Sequence, residues 1–441
     1  MSDEQQPKRL LIQDTTRLAD VELKHDRVRD LLKRTGAEGL LLQEPSNISW
    51  FTAGADLYRC ASEDCSTSIF ITDNARLFAT NSVDSSQIFE REAFGLGFQL
   101  KQREWFQPHK ELVSDLCRGR KVISDRGVLY TKPARRAIRD IRLPLTDLET
   151  ERIRILGRVA VHAVEAAGHN LRRGVTEAEV AGEVSHRLLK RTVAATRIHV
   201  CADGRNKRYR HWTFGEQPIE NYAVISCVAR RWGLHVGVTR TACLESVPRE
   251  LLEAYRKAAM VHATGLFFSR ADSRLGDVWN KVQRIYEKFD AAQEWQLADQ
   301  ANVVGYSASE AQMRPASDFV LQPPVPMFWH PSVGEAMFGD TLLCQQGANE
   351  QLTMSDSWPQ VPVRVKGREV ICPGILLLQS EQKTQANENI EPKQTTLFDF
   401  PEHPDEDTPS VVESVWEMRV PGNMANWQEG DTPSNAPSLH D

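Results

Sequence analysis

No apolar run in this chain approaches the ~18 residues of a membrane-spanning helix, so a helical membrane protein is excluded. The first residues, Met1–Arg9, are polar and lack the apolar stretch of a secretion signal. None of the eight cysteines (60, 65, 117, 201, 227, 243, 344 and 372) forms a CxxC pair. Several lie in apolar, strand-like runs, as buried free thiols in a reducing cytoplasm would. Cys60 and Cys65, in RCASEDCS, have zinc-knuckle spacing without a partner pair. Positive charge is outnumbered, with 54 Lys and Arg against 60 Asp and Glu and a net charge of −6. That balance argues against direct nucleic-acid contact or a membrane-surface role. The expectation is a cytoplasmic protein.

What is present suffices for sizeable cores: 441 residues, 41% of them hydrophobic. At ~150 residues per domain the length suits about three domains. Apolar spacing at Val21, Leu23, Val28, Leu31 and Leu32 predicts a helix over Asp20–Arg34, stopped at Gly36. Gly39–Trp50 and Ser68–Phe78 read as β-rich, the second with a turn at Asp73–Ala75. Pro144 precedes a capping box, Thr146 to Glu149, which opens a long helix through about His169; Thr176 to Glu179 is a second box. The first domain is therefore expected to span 1–143. A second, 144–379, reads as helix, turn, helix and β-rich stretch over 146–243, repeated over 249–379, with a cleft between the halves. From Ser380 the composition turns acidic and polar, which predicts a disordered tail over 380–441. Two islands interrupt it, Gln394–Phe398 and Val411–Val420 around Trp416.

Three segments occur in a telling order: Ala223–Arg240 (AVISCVARRWGLHVGVTR), Val303–Glu310 (VVGYSASE) and Phe328–Thr341 (FWHPSVGEAMFGDT). Together they resemble the catalytic half of the creatinase/aminopeptidase P family (peptidase M24, Xaa-Pro peptidases), over roughly residues 15–365. The implied fold is α+β: a pita-bread C-terminal domain behind a smaller α/β creatinase-type N-terminal domain, echoed at Asn47–Gly54. In metal-dependent members, two Asp, one His and two Glu hold two divalent ions. The corresponding positions here are Ser226, Gly237, Asn302, His330 and Gly339. Gly233 falls on the hairpin glycine, and Ser309 replaces a second histidine. Divalent ions need several anionic oxygens, and these residues offer none. The expectation is no metal and no cofactor.

The resemblance implies two candidate catalytic residues. His211, in RYRHW, takes the place of a cleft histidine that acts as acid/base in metal-free creatinase; an imidazole moves protons near neutrality. The plainer reading is a buried, backbone-bonded histidine. Glu310 is the one family-like carboxylate left, either a general acid/base or the partner of an arginine. Arg208, Arg210, Arg230, Arg231 and Arg240, with Tyr306 and His330, are candidate ligand-binding residues, because guanidinium forks clamp carboxylate or phosphate. For Arg240 the alternative is a structural contact, and for Tyr306, Trp212 and Trp329 it is wall packing. The resulting function is a metal-free pseudopeptidase that binds an anionic small molecule or peptide end. The alternatives are a metal-independent creatinase-like hydrolase using His211 and a metallo-aminopeptidase with atypical ligands. A homodimer is implied by the resemblance. Gln394, Leu397 and Phe398 resemble the Q-x-x-L-F peptide that docks on bacterial sliding clamps.

Overall fold

The computed structural model describes residues 14–57 and 67–379 and the backbone of 410–411. The expectations for Met1–Arg9, for Cys60 and Cys65, for the acidic stretch and for Gln394, Leu397 and Phe398 lie outside the described residues.

The N-terminal part is built on Leu40, Leu41 and Leu42, all fully buried. A short strand buried on both faces needs such an unbroken apolar run, because neighbours cover it on either side. Strand Gly39–Leu42 pairs antiparallel with Ser68–Ile71 and parallel with Val122–Ser124, inside a six-stranded sheet that also takes in Arg76–Asn81, Gln99–Arg103 and Lys132–Pro133. Helix Thr15–Thr35 ends where the sequence signals it: Gly36 adopts φ 63° and its N–H reaches back to the last turn. Gly39–Trp50 is not one β-rich stretch. The strand stops at Leu42, and Pro45 opens a helix, Pro45–Phe51. Proline fits that first turn, where its missing N–H has no intrahelical acceptor to lose.

The rest of the fold repeats one order twice. Helices Asp147–His169 and Glu177–Leu189 precede strands Ala194–Ala202, Tyr222–Arg231 and Leu234–Leu244; helices Arg249–Phe268 and Leu275–Lys288 precede Ala301–Val303, Val325–Trp329 and Asp340–Cys344. Both capping boxes form, Thr146 with Glu149 and Thr176 with Glu179. The long hairpin turns at Trp232 and Gly233, with φ of 53° and 78°. Two consecutive positive-φ residues match the twist of a two-residue hairpin turn. A bridge between Thr239 and Gly339 links this hairpin to the second sheet.

The two parts meet at a buried ionic joint. Lys24, fully buried on the first helix, lies 2.5 Å from Asp20 and 2.6 Å from Glu149. Tyr306 donates its hydroxyl to Glu149 at 2.7 Å. A charged lysine tolerates full burial only with such partners.

Candidate functional site

Strand register gathers the five positions singled out in the sequence. Ser226 lies opposite Thr239 on one side and His199 on the other, and Gly237 opposite Val228. Directly paired residues of antiparallel strands project from the same face, so Ser226, Thr239 and His199 share it. Asn302 pairs with Phe328, Trp329 with Asp340, and Gly339 bridges Thr239. The Thr239 hydroxyl donates to Ser226 Oγ at 2.8 Å. Beside them Phe328, Val228 and Val304 form a small buried apolar cluster. A Cβ on Gly237 would come within 2.5 Å of the Phe328 ring, and one on Gly339 within 2.1 Å of Thr239 Oγ1.

A polar group adjoins this cluster. The Asn302 amide donates at 2.9 Å to Asp299 Oδ2 and at 2.9 Å to His330 Nε2, while its carbonyl oxygen accepts from the Ser309 hydroxyl at 2.7 Å. These partners assign the amide orientation, and they require a lone pair on His330 Nε2. His330 is therefore neutral; burial pushes its pKa down to about 4. Asp299 Oδ1 lies 3.6 Å from His211 Nε2, and Asp299 Oδ2 lies 3.7 Å from His330 Nε2. Burial works to raise the Asp299 pKa, yet His330, Asn302, His211 and Arg197 together hold it below the usual carboxylate range. His199, its ring centroid 6.4 Å from that of His211, is driven to about 3 by burial and by Arg197. The chemical content is an ionised carboxylate between two imidazoles, one of them exposed.

Asp299, Arg197 and His199 were not among the sequence candidates. Arg197 and His199 alternate along one strand, a pattern the sequence offers. Asp299 precedes a strand in irregular chain and belongs to no motif.

The five arginines expected to converge do not. Arg240 is buried between Glu165 at 2.9 Å and Asp340 at 3.0 Å, and Arg210 is held by Glu294 at 2.6 Å. Carboxylates on the neighbouring elements claim both cations, because a buried guanidinium needs a counter-charge. Arg208 is exposed over the Tyr209 ring, Arg231 stacks on Trp232 with its charge centre 4.2 Å from the ring centroid, and Arg230 faces His235 across the hairpin. Tyr306 does not line a cleft; its hydroxyl is drawn to the Lys24–Glu149 joint. Trp329 is buried against Gly265 and donates to Ser269, and Trp212 donates to Glu177. Glu310 forms a buried ion pair with Arg142 of the N-terminal part and accepts the Ser307 N–H at 3.0 Å. Among the described residues, no cluster of three or more His, Cys, Asp or Glu is arranged to hold a metal ion.

Comparison with known proteins bears on the scaffold. Residues 151–323 match the family model of metallopeptidase family M24. No curated protein matches the chain in sequence. Among solved structures, the chain is similar to an Xaa-Pro dipeptidase from Bacillus anthracis at 18% identity and a TM-score of 0.66, over 81% of this chain and 100% of that one. A prolidase from Pyrococcus horikoshii OT3 aligns at 16% identity and a TM-score of 0.65, over 76% and 99%. The N-terminal domain of a FACT complex subunit from chickpea, Cicer arietinum, aligns at 9% identity and a TM-score of 0.59, over 76% and 97%. At such identities the likeness is one of fold: the pita-bread architecture behind a smaller α/β domain.

Proposed function

Since this chain belongs to metallopeptidase family M24 through residues 151–323, we propose that it has given up two-metal chemistry and acts as a metal-free pseudopeptidase, one that binds an anionic small molecule or peptide end. The observation that carries this reading is steric. The position of one expected ligand, Gly237, is backed by the Phe328 ring, so a carboxylate side chain has no room there. Gly339 is closed off in the same way by Thr239. Ser226 accepts from Thr239, and both ends of the Asn302 amide are engaged. A pair of divalent ions needs anionic bridging oxygens at these points to offset its own repulsion, and the residues present do not fit it.

A second reading draws on Asp299. A metal-independent hydrolase using His211 needs a carboxylate beside the imidazole, and Asp299 stands 3.6 Å away. Such a pair can orient the ring for proton transfer. Glu310 is not part of that reading, because Arg142 holds it.

The deciding experiment is elemental analysis of protein incubated with Mn, Co and Zn, with Xaa-Pro peptide cleavage assayed on the same sample. The proposal expects less than about a tenth of an equivalent of metal, against the two of a dinuclear site, and no cleavage. Metal near two equivalents with cleavage makes the protein a metallo-aminopeptidase with atypical ligands. Cleavage that persists under chelator, and is lost in His211→Gln and Asp299→Asn, establishes the second reading instead.

A further inference from the structure

A cavity of about 870 Å³ opens between the two parts of the chain, and none of the five arginines discussed above lines it. One wall is the helix Arg135–Arg142, together with Glu44 and Asn47 of the N-terminal part; the other is the segment from Ser307 to Phe319. Its lining holds five guanidinium groups (Arg135, Arg136, Arg139, Arg142 and Arg314) against three carboxylates, Glu44, Glu310 and Asp318. Two positive charges are left over.

Hydrogen bonding says where that surplus lies. Arg135 is paired with Glu44 at 2.7 Å, and Arg142 with Glu310 at the buried floor. Arg139 is taken up by Asp140 at 3.0 Å, from outside the lining, and its guanidinium stacks on Phe319. Arg136 has only distant carboxylates, Asp318 at 3.8 Å and Asp140 at 4.0 Å. Arg314 donates to the neutral amide oxygen of Gln312 at 2.6 and 2.8 Å. On the floor, Arg142 donates to Asn47 and Glu310, while its buried Nε has no hydrogen-bond partner.

We propose that this interdomain cavity is the ligand site and that it takes a small molecule with a dianionic head group, of the phosphate-monoester or dicarboxylate kind. The inference rests on the reading of the protein as a binder of anions. Guanidinium groups present fixed forks that match tetrahedral and planar oxyanions alike. With Asp140 offsetting Arg139 the net surplus is one charge, but Arg136 and Arg314 are the two guanidinium groups of the lining without a carboxylate at hydrogen-bond distance, and a dianion supplies both. The volume lies within the range of about 300–1,000 Å³ typical of small-molecule sites, so it accommodates an uncharged body beyond the head group, against Phe319 and the serines. Ser309 belongs to the same wall and donates to Asn302, which places a bound molecule beside the Asp299 group. Bound there, a dianion cross-links the two parts of the chain through Arg136 on one side and Arg314 on the other.

The test is isothermal titration of the full chain, in chelator, with phenyl phosphate and with succinate, the neutral benzyl alcohol serving as control. Dissociation constants below about 1 mM are expected for at least one dianion, and none for the alcohol. The double variant R136A/R314A, both side chains exposed and therefore safe for folding, should bind at least about tenfold more weakly, while Arg249→Ala on a distant surface binds like the wild type. Tighter phosphate binding selects the phosphate-monoester class and tighter succinate binding the dicarboxylate class. No binding of either dianion, or equal binding by the double variant, overturns the inference. Because chelator is present throughout, a dianion that binds while the metal-supplemented sample cleaves peptides would sink the pseudopeptidase reading alone. Absent metal, absent cleavage and absent binding would sink this inference alone.

Discussion

The Phe328 ring packs against the backbone of Gly237 so closely that a Cβ at that glycine would lie 2.5 Å from two of its carbons. Placing a carboxylate at this point therefore needs two changes. Gly237→Asp alone should destabilise the protein by about 1–3 kcal/mol, the usual cost of overpacking a core, and should not confer metal binding. Adding Phe328→Ala should recover part of that loss, since the two sites touch and their effects are not additive. Urea denaturation of the two single variants and the double variant reads this directly; strict additivity would contradict the contact.

Arg240 carries the strongest structural burden among the arginines. It lies between Glu165 and Asp340, with all three side chains nearly fully buried. Arg240→Met should cost about 3–5 kcal/mol, because it leaves two carboxylates without their cation. Burial works to raise the Asp340 pKa, but Arg240 and the His262 hydrogen bond keep it depressed. A depressed carboxylate contributes stability that is present above its unfolded pKa, about 3.9, and is lost as the pH falls through the folded value. In Arg240→Met the depression is relieved, so the part of the acid-side loss that Asp340 contributes should shrink or vanish, which chemical denaturation between pH 3 and 7 would reveal.

Three buried histidines make a separate acid sensitivity. Burial drives His199 to about 3 and both His235 and His330 to about 4. Their unfolded forms take up protons near 6.5 while the folded forms do not. Stability is therefore full above about pH 6.5 and should fall with the pH toward about 4, by up to roughly 1.4 kcal/mol per pH unit for each histidine. His330→Gln should remove about one proton's worth of that slope. An unchanged slope would mean that His330 is charged in the folded protein.

Gly233 closes the long hairpin at φ +78°, and a Cβ there would lie 2.6 Å from Ser49 and 2.8 Å from the Tyr306 ring. Strain and crowding add, so Gly233→Ala should cost about 2 kcal/mol or more. A loss under about 0.5 kcal/mol would show that the two parts of the chain can shift to admit a methyl group.

The scaffold was largely legible because its signals are local. The boxes at Thr146 and Thr176 and the stop at Gly36 each depend on a few neighbouring residues, and each forms as expected, while the turn at Gly233, implied by the family resemblance, forms as well. The helix at Pro45 was misread as strand because seven residues after a buried strand give too short a period to separate the two. The site was legible only where register carries it. Asn302 and His330 meet because adjacent strands are paired. The arginines failed for the opposite reason: guanidinium chains are long, and whichever carboxylate the tertiary fold brings near decides their direction. Glu294, Glu165 and Asp340 come from segments that no local pattern ties to Arg210 or Arg240. The helix Arg135–Arg142 sits in the other part of the chain, so nothing in its sequence announces the segment across the cavity.

The joint at Lys24 has a consequence for inheritance and for engineering. Lys24 belongs to the first helix, Glu149 to the helix after Pro144, and Tyr306 to the second half of the repeat. A fragment begun at Pro144 would leave Glu149 and Tyr306 without their cation, and the detached N-terminal part would hold a stranded lysine beside Asp20 alone. Either cut opens to water a joint that is dry in the whole chain. A recombinant that takes one part from a relative keeps the joint only where that relative carries the matching lysine, or the matching glutamate and tyrosine, so the two parts are constrained to change together at these three positions.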